Sequence, residues 1–292
     1  ASEGKLPIGF IGTPADLTYT VDYLGAGPEA LEHLLAGKGD FAAVLQKAER
    51  PLIVIGQGAL VRADGAAVLA SAAALSVACN AVSDDWNGFC VLHMAAGMVG
   101  GLDIGFVPAE GGRKAAEMAD LDVVFLLGAD EINLNGNAFK VYIGSHGDKG
   151  AHSADVILPA AAYSEKSALY VNTEGRVQMT ARAAFPPGDA REDWAILRAL
   201  SDVLGVVLPF DTLAALRAAL YAAYPHLAHL GDCIPADTAA IAELAKGDKK
   251  MDKAGFVPAI SDFYLTNPIA RASRVMADCS ALAASKQAEA AE

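Results

Sequence analysis

The sequence predicts an α/β fold: an open, mostly parallel sheet with flanking helices, followed by an antiparallel hairpin and a helical C-terminal region. Continuous apolar runs alternate with helical stretches through about residue 160, which is the pattern of parallel strands covered on both faces. After Pro159, polar and apolar residues alternate around a glycine turn, and two well-marked helices follow. We therefore divide the chain into an α/β sheet domain (1–160), a hairpin with two helices packed on it (161–225) and an irregular, partly helical extension (226–292).

Apolar runs predict the strands of the first part, and start and stop signals predict its helices. The predicted strands are residues 6–12, 52–55, 122–127, 141–143 and 156–158, of which 122–127 is the clearest buried strand. The predicted helices are residues 28–36, 40–48, 64–79 and 88–99. The longest uncharged run, 65–83, is mostly alanine and serine and too weakly apolar for a membrane span, so it predicts a buried helix followed by a strand or loop.

The second part begins with a predicted hairpin. Residues 169–172 and 176–180 flank a turn in which Gly175 supplies the positive φ that a tight connection needs. Asp189 with Glu192 three residues later has the spacing of a capping box and predicts a helix start. The helices predicted from this point on are residues 189–205, 211–224 and 268–285.

The charge balance limits the possible partners. Acidic residues outnumber basic ones 35 to 22, and the formal net charge is −13. Such a chain has no excess of cations for a nucleic-acid backbone or for an anionic membrane surface. The hydrophobic fraction of 53% favours an assembly in which part of the surface is covered, although alanine inflates that count.

Cysteine spacing gives no sign of a metal site, and histidine spacing gives only a weak one. Cys79, Cys90, Cys233 and Cys279 include no C-x-x-C pair, and we interpret them as reduced, mostly buried thiols. His146, His152 and Asp148 share one loop and could ligate a metal, but polar loop histidines are the simpler interpretation. The same interpretation applies to His226 and His229.

Two strand ends are candidate ligand sites, because open α/β sheets bind ligands at the carboxyl ends of their strands. Gly56-Gln57-Gly58 follows a strand like a phosphate-binding turn, but Val61 stands where a dinucleotide fingerprint needs its third glycine. Nucleotide binding is therefore disfavoured there. Asp130 follows the 122–127 strand, and a capping role is favoured over ligand binding.

The densest polar group contains Glu165, Lys166 and the hairpin residues Asn172, Glu174 and Arg176. These side chains could hydrogen-bond a pterin or an anion, or they could pair with one another or with a neighbouring subunit. Composition alone favours structural pairing. No ordered nucleophile, base and acid set is present in the sequence, so we predict no catalytic residues.

Several segments together resemble one family. They are ADVILPAAAYSEK (154–166), YVNTEGRVQ (170–178), LTYTVDYLG (17–25), DGAA (64–67), PPGDAREDW (186–194), DFYLT (262–266) and IARASRVM (269–276). Together they resemble the molybdopterin oxidoreductase superfamily and, more narrowly, the large iron–sulfur subunit (G-type) of respiratory NADH:quinone oxidoreductase, complex I. The resemblance implies a pterin-enzyme fold kept as architecture, with Asn172, Glu174 and Arg176 as vestigial pterin-site candidates.

Departures from the family pattern shape the expected function. Ser167-Ala168-Leu169 stands where molybdenum enzymes of the superfamily have a Gly-Thr pair before the hairpin, which agrees with a fold used without molybdenum. The family's [4Fe-4S] and [2Fe-2S] ligands lie in an amino-terminal region without counterpart here, so no cysteine is assigned to a cluster and no cofactor is expected in this chain.

The resemblance thus implies a non-catalytic scaffold portion of a peripheral-arm subunit, within a complex that couples NADH-to-quinone electron transfer to proton translocation. Its expected partners are the other peripheral-arm subunits and the cluster-binding region of its own subunit, without insertion into the membrane. The expected location is the cytoplasmic side of a bacterial inner membrane or the matrix side of the mitochondrial one. Two alternatives remain: a fragment of an active molybdopterin-dependent oxidoreductase, and a free-standing α/β small-molecule binding module.

Overall fold

The computed structural model describes residues 6–132, 136–233 and 237–291. The strands in these ranges are β1 (Gly9–Ile11), β2 (Asp22–Gly25), β3 (Ile53–Gly56), β4 (Val82–Ser83), β5 (Trp86–Asn87), β6 (Phe89–Leu92), β7 (Val123–Leu127), β8 (Phe139–Gly144), β9 (Val156–Pro159), β10 (Leu169–Val171) and β11 (Val177–Met179). The helices are α1 (Pro28–Leu35), α2 (Asp40–Lys47), α3 (Gly65–Ala78), α4 (Met98–Asp103), α5 (Lys149–His152), α6 (Asp193–Val203), α7 (Leu213–Ala223), α8 (Thr238–Leu244), α9 (Pro268–Ala272) and α10 (Arg274–Ala291). Each of the five strands predicted in the first part overlaps a strand of the structure.

Strand pairing is mainly parallel in the first part, as predicted, with one short antiparallel pair inserted in sequence between β3 and β6, and the predicted antiparallel hairpin follows. Strand β1 pairs in parallel with β2, β3 with β6, and β8 with both β7 and β9. The antiparallel pairs are β4–β5 and β10–β11. The α/β class with a hairpin and a helical C-terminal region is therefore confirmed.

The chain divides into two compact units that interleave in sequence. Unit 1 comprises the described residues of Ala1–Met98, Thr173–Gly175 and Cys233–Ser261, and unit 2 those of Val99–Asn172, Arg176–Asp232 and Asp262–Glu292. The division at residues 160 and 225 proposed from the sequence stays a prediction.

The core of unit 1 is built around the alanine-rich helix α3. Its larger members are Leu31, Leu34, Ile55, Val68 and Leu75, with Ala42 and Ala72 between them. Burying an aliphatic side chain of this size contributes about 1.5–3 kcal/mol. The uncharged run that includes α3 is thus a buried helix, as predicted, and no helix in the described ranges has the length and apolar content needed to cross a bilayer.

The sheet β7–β8–β9 of unit 2 has apolar residues on both faces. Val124, Leu126 and Tyr142 pack on one face with Ala151 of α5, and Val141 and Ile143 pack on the other face near Ile196 and Leu197 of α6. On β7 itself, Val123, Phe125 and Leu127 remain 45–48% exposed. Within the described residues, the predicted cover on both faces is therefore complete over the centre of β8 but not over β7.

Three sequence predictions of local structure are wrong. The helix predicted at 88–99 is instead strand β6 followed by the start of α4, since the aromatic and β-branched run from Phe89 pairs with β3. Helix α6 begins at Asp193 rather than near Asp189. The predicted final helix is two helices, because Ser273 is extended (φ −87°, ψ 120°) between α9 and α10.

Candidate functional site

The hairpin β10–β11 holds the three predicted pterin-site residues at and beside its turn. Asn172 Oδ1 accepts the backbone N–H of Arg176 at 3.0 Å, and the two residues also share a backbone hydrogen bond at 3.1 Å. The Arg176 guanidinium donates to the carbonyl of Gly231. Gly175 has the predicted positive φ, 81°. The polar contacts of Asn172 and Arg176 thus stabilise the hairpin and its connection to residue 231.

Glu174 lies in the turn and belongs to unit 1. Its backbone carbonyl accepts the thiol of Cys233 at 2.8 Å. Burial, together with the negative charge of Glu174, raises the pKa of the Cys90 thiol. The raised pKa favours the protonated thiol at Cys90 rather than a thiolate ligand, and the Cys233 thiol is a hydrogen-bond donor within the chain.

The neighbouring polar residues also have structural partners. Lys166 forms an ion pair with Asp193 at the start of α6, and the Glu165 carboxylate accepts the backbone N–H of Ala162 at 2.9 Å. Structural pairing was the favoured interpretation of this polar group. The structure shows structural pairing for Lys166 and Glu165. Their partners are Asp193 and the Ala162 N–H, rather than other members of the polar group or a neighbouring subunit.

The turn after β3 contacts other residues of unit 1 at the positions where a ligand would bind. Gln57 Oε1 accepts the backbone N–H of Met94 at 2.9 Å, and Gln57 Nε2 donates to the sulfur of Met98. A Cβ added to Gly58 would lie 2.7 Å from the Cβ of Ala259. The absence of a side chain at Gly58 therefore permits the close approach of Ala259. In a phosphate-binding turn, glycine permits a similarly close approach of the ligand to the backbone.

Arg62 organises the region beyond this turn, in what we term the Arg62 centre: Arg62, Asp64 and residues 252–256. The guanidinium donates to Asp64 at 2.8 Å and 3.1 Å and to the carbonyls of Ala254 (2.7 Å) and Gly255 (3.1 Å). It also lies 5.1 Å from the centroid of the Phe256 ring. One arginine thus connects the start of α3 to the C-terminal part of unit 1.

Asp64 was predicted to start helix α3, and it holds the N-cap position without a side-chain capping bond. Its carboxylate instead accepts the hydrogen bonds from Arg62 and, at 2.7 Å, the backbone N–H of Asp252. The hydrogen bond from Arg62 comes first among the causes that lower the pKa of Asp64 to about 2. The sequence signal for α3 was correct, but it did not reveal the role of Arg62.

Asp130 follows β7 and is 1% exposed. Its Oδ1 accepts the N–H of Gly150 in the first turn of α5 at 2.8 Å, so it caps a helix 20 residues further along the chain. A Cβ on Gly150 would lie 2.8 Å from that oxygen, so glycine is needed for the contact. Asp130 Oδ2 has no hydrogen-bond partner among the described residues, and Nη2 of Arg271 lies 3.6 Å away.

Arg271 completes this cluster, the Arg271 centre: Arg271, Asp130, Glu131 and Asp148. The guanidinium donates through Nε to Asp148 and through Nη2 to Glu131 at 2.9 Å. The hydrogen bond from Arg271 lowers the pKa of Asp148. Asp148 was predicted as a possible metal ligand beside two histidines; the structure gives it an arginine partner.

The cysteines and histidines do not form a metal centre in the described ranges. All four cysteines are free thiols, but the prediction that most of them are buried is wrong: Cys79 is buried, Cys90 and Cys279 are partly buried, and Cys233 is exposed. Burial raises the pKa of Cys79. Across 6–132, 136–233 and 237–291, no three cysteine, histidine or acidic side chains gather in a way that could hold a metal ion. His226 lies 3.4 Å from Asp103, and Ser145 contacts the ring of His146 at 3.0 Å.

Two family models match the chain. The model described as molybdopterin oxidoreductase matches residues 1–203, and a model for the C-terminal part of the G-type subunit of NADH-ubiquinone oxidoreductase matches residues 232–279. The Arg62 centre and the Arg271 centre each combine residues from the first match with residues from the second.

Three of the curated relatives, from three organisms, match nearly the whole chain. NADH dehydrogenase (ubiquinone) iron-sulfur protein 1, mitochondrial, of Solanum tuberosum is 41% identical over 94% of this chain and 37% of its own length. The NADH-ubiquinone oxidoreductase 75 kDa subunit of Reclinomonas americana is 38% identical over 96% of the chain and 41% of its own length. The mitochondrial 78 kDa subunit of Neurospora crassa is 40% identical over 94% and 38%.

The chain therefore spans about two fifths of the length of these relatives, and the resemblance drawn from its sequence is confirmed. Because the first family model covers 203 of its 292 residues, the chain belongs to the molybdopterin oxidoreductase family.

Proposed function

We propose that the chain is a non-catalytic scaffold portion of the large iron–sulfur subunit of NADH:quinone oxidoreductase. In this role it supports electron transfer from NADH to quinone, coupled to proton translocation, in the peripheral arm of the complex. The names of the relatives support this assignment, since they are subunits of that oxidoreductase and align with 94–96% of the chain.

One observation supports the scaffold role most directly: the strand-end and hairpin residues contact other residues of the chain itself. Asp130 is buried against Gly150 and Arg271, and Gly58 is in close approach to Ala259. Asn172 and Arg176 hold the hairpin. A ligand at either strand end would have to displace the chain's own segments, which supports a fold used without a pterin cofactor.

The iron–sulfur clusters of the parent subunit are placed, in this proposal, in sequence that precedes the matched region of the relatives. The proposed partners are that cluster-bearing region and the other peripheral-arm subunits, on the cytoplasmic or matrix side of the membrane. The chain has 35 acidic and 22 basic residues, and this net negative charge would attract basic surfaces of those partners.

Metal analysis of the purified respiratory assembly tests the proposal. We expect iron but neither molybdenum nor tungsten in a stoichiometric amount, and an intact polypeptide mass well above that of this chain. Stoichiometric molybdenum or tungsten would contradict the scaffold role and favour an active molybdopterin-dependent enzyme. A stable monomer of this length that binds a nucleotide would favour the small-molecule binding module instead.

A further inference from the structure

One stretch of the chain, residues 252–271, contacts the carboxyl ends of parallel strands in each unit. We propose that this stretch is an internal strap that takes the place of a ligand at the strand ends. Open α/β sheets ordinarily bind their ligands at these ends.

In unit 1 the strap lies across the ends of β1, β2 and β3. Thr13 Oγ1, just after β1, donates to the carbonyl of Phe256 at 2.9 Å, and the N–H of Phe256 donates to Ala26, just after β2, at 2.8 Å. A Cβ on Gly27 would lie 2.9 Å from Gly255 Cα. These backbone contacts give the strap a fixed register over the strand ends.

Beyond β3, the same stretch is held by Arg62 and by close packing. Arg62 donates to the carbonyls of Ala254 and Gly255, and Ala259 fills the space in front of Gly58. The guanidinium of Arg62 and the glycines of these turns are the groups that would otherwise meet an anionic ligand. The strap satisfies them with carbonyl oxygens.

In unit 2 the strap contributes its own cation. Arg271, in α9, reaches carboxylates that follow β7 (Asp130 and Glu131) and one in the loop after β8 (Asp148). Three carboxylates around one guanidinium would repel phosphate or any other anion. The chemistry of this strand end therefore selects a guanidinium, which the chain itself supplies.

Burial distinguishes this arrangement from an ordinary surface ion pair. The Asp130 side chain has no exposed area, and that of Arg271 is 25% exposed. An arginine fork that bonds two carboxylates with a third nearby is held in geometry as well as in charge. A lysine at the same position would keep the charge and lose the fork.

Hydrogen exchange on the full chain tests the unit 2 part of the strap. For Arg271→Ala we expect the backbone amides of α9 to exchange about tenfold faster than in the unmodified chain, because their anchor is lost. Arg274→Ala is the matched control, since Arg274 is exposed and lies three residues away. It should leave the exchange of α9 unchanged.

Chemical rescue then identifies the ligand class. Low millimolar methylguanidinium should restore slow exchange in Arg271→Ala, whereas methylammonium at the same concentration should not. Equal rescue by both cations, or an Arg271→Ala chain that behaves like Arg274→Ala, would overturn the proposal. If Arg271→Ala does not fold, Arg271→Lys decides: exchange as slow as in the unmodified chain would count against the fork.

Substitution of a glycine tests the unit 1 part. Gly58→Ala places a Cβ 2.7 Å from that of Ala259 and should speed exchange across residues 252–260 about tenfold. Gly56→Ala is the control, because an added Cβ there meets no atom within 4 Å. Equal exchange in the two variants would show that the strap does not depend on this contact.

Discussion

Within unit 1 the Arg62 centre holds residues 252–256 of the C-terminal stretch, and within unit 2 the Arg271 centre holds residue 271 of that stretch. The arginine is on opposite sides of these two contacts. Arg62 belongs to the body of unit 1 and donates to backbone carbonyls of the stretch. Arg271 belongs to the stretch and donates to carboxylates of unit 2. Carbonyl acceptors are available at any residue, whereas carboxylates must be encoded at particular positions. The contact in unit 1 thus depends on the position of the backbone carbonyls, whereas the contact in unit 2 depends on the identity of one side chain, Arg271.

The buried carboxylate of unit 2 should give the largest stability effect. Asp130→Ala removes the acceptor of the Gly150 N–H and one carboxylate near Arg271, and we expect a loss of about 3 kcal/mol in the free energy of unfolding. Urea unfolding of the full chain, followed by circular dichroism, measures it. Asp130→Asn is the control, because its oxygen can still accept the N–H and its loss should be smaller. Equal losses would show that charge, not the hydrogen bond, dominates.

A smaller effect is expected at the centre of unit 1. Arg62→Ala removes hydrogen bonds to Ala254, Gly255 and Asp64 from a side chain that is only 16% exposed, and we expect a loss of about 1–2 kcal/mol. The backbone carbonyls left behind can reach water, which limits the cost. Trypsin cleavage after Lys249, Lys250 and Lys253 should become faster in this variant. Arg113 is exposed, so Arg113→Ala is the control and should change neither the stability nor the cleavage after these lysines. If Arg62→Ala loses more unfolding free energy than Asp130→Ala, the order of the two centres is reversed.

Sequence patterns predicted the parts of these centres that depend on local periodicity. The strands β3 and β7, the helix α3 and the position of Asp130 at a strand end all follow from apolar runs and their neighbours. Arg62 and Arg271 were missed as site residues because their partners lie 192 and 123 residues away along the chain, respectively. No local pattern encodes such a pairing. Arg271 stands inside a segment that carried the family resemblance, but that segment gave it no role.

Other failures have equally local causes. The helix predicted at 88–99 contained the apolar run that becomes β6, and periodicity does not separate a short buried strand from a helix. The break at Ser273 had no proline or glycine to announce it. The candidate site at the hairpin was placed on the correct turn, but the internal partners of Asn172 and Arg176 required the fold.

The smallest effect concerns the pH dependence of the Arg62 centre. The pKa of Asp64 is about 2 in the folded chain against an ordinary value of 3.8, chiefly because Arg62 and the Asp252 N–H bond its charged form. A carboxyl whose pKa falls on folding stabilises the fold above its ordinary pKa, and that contribution is lost as the pH falls toward the folded value. The stability difference between the unmodified chain and Asp64→Asn should therefore be constant above about pH 5, shrink below about pH 4 and become small near pH 2. Unfolding curves at a series of pH values measure this difference. When Asp64→Asn is made in an Arg62→Ala background, most of the pH dependence of the difference should disappear. A difference that persists at pH 2 would mean that the oxygen atoms of Asp64, rather than its charge, hold the strap to unit 1.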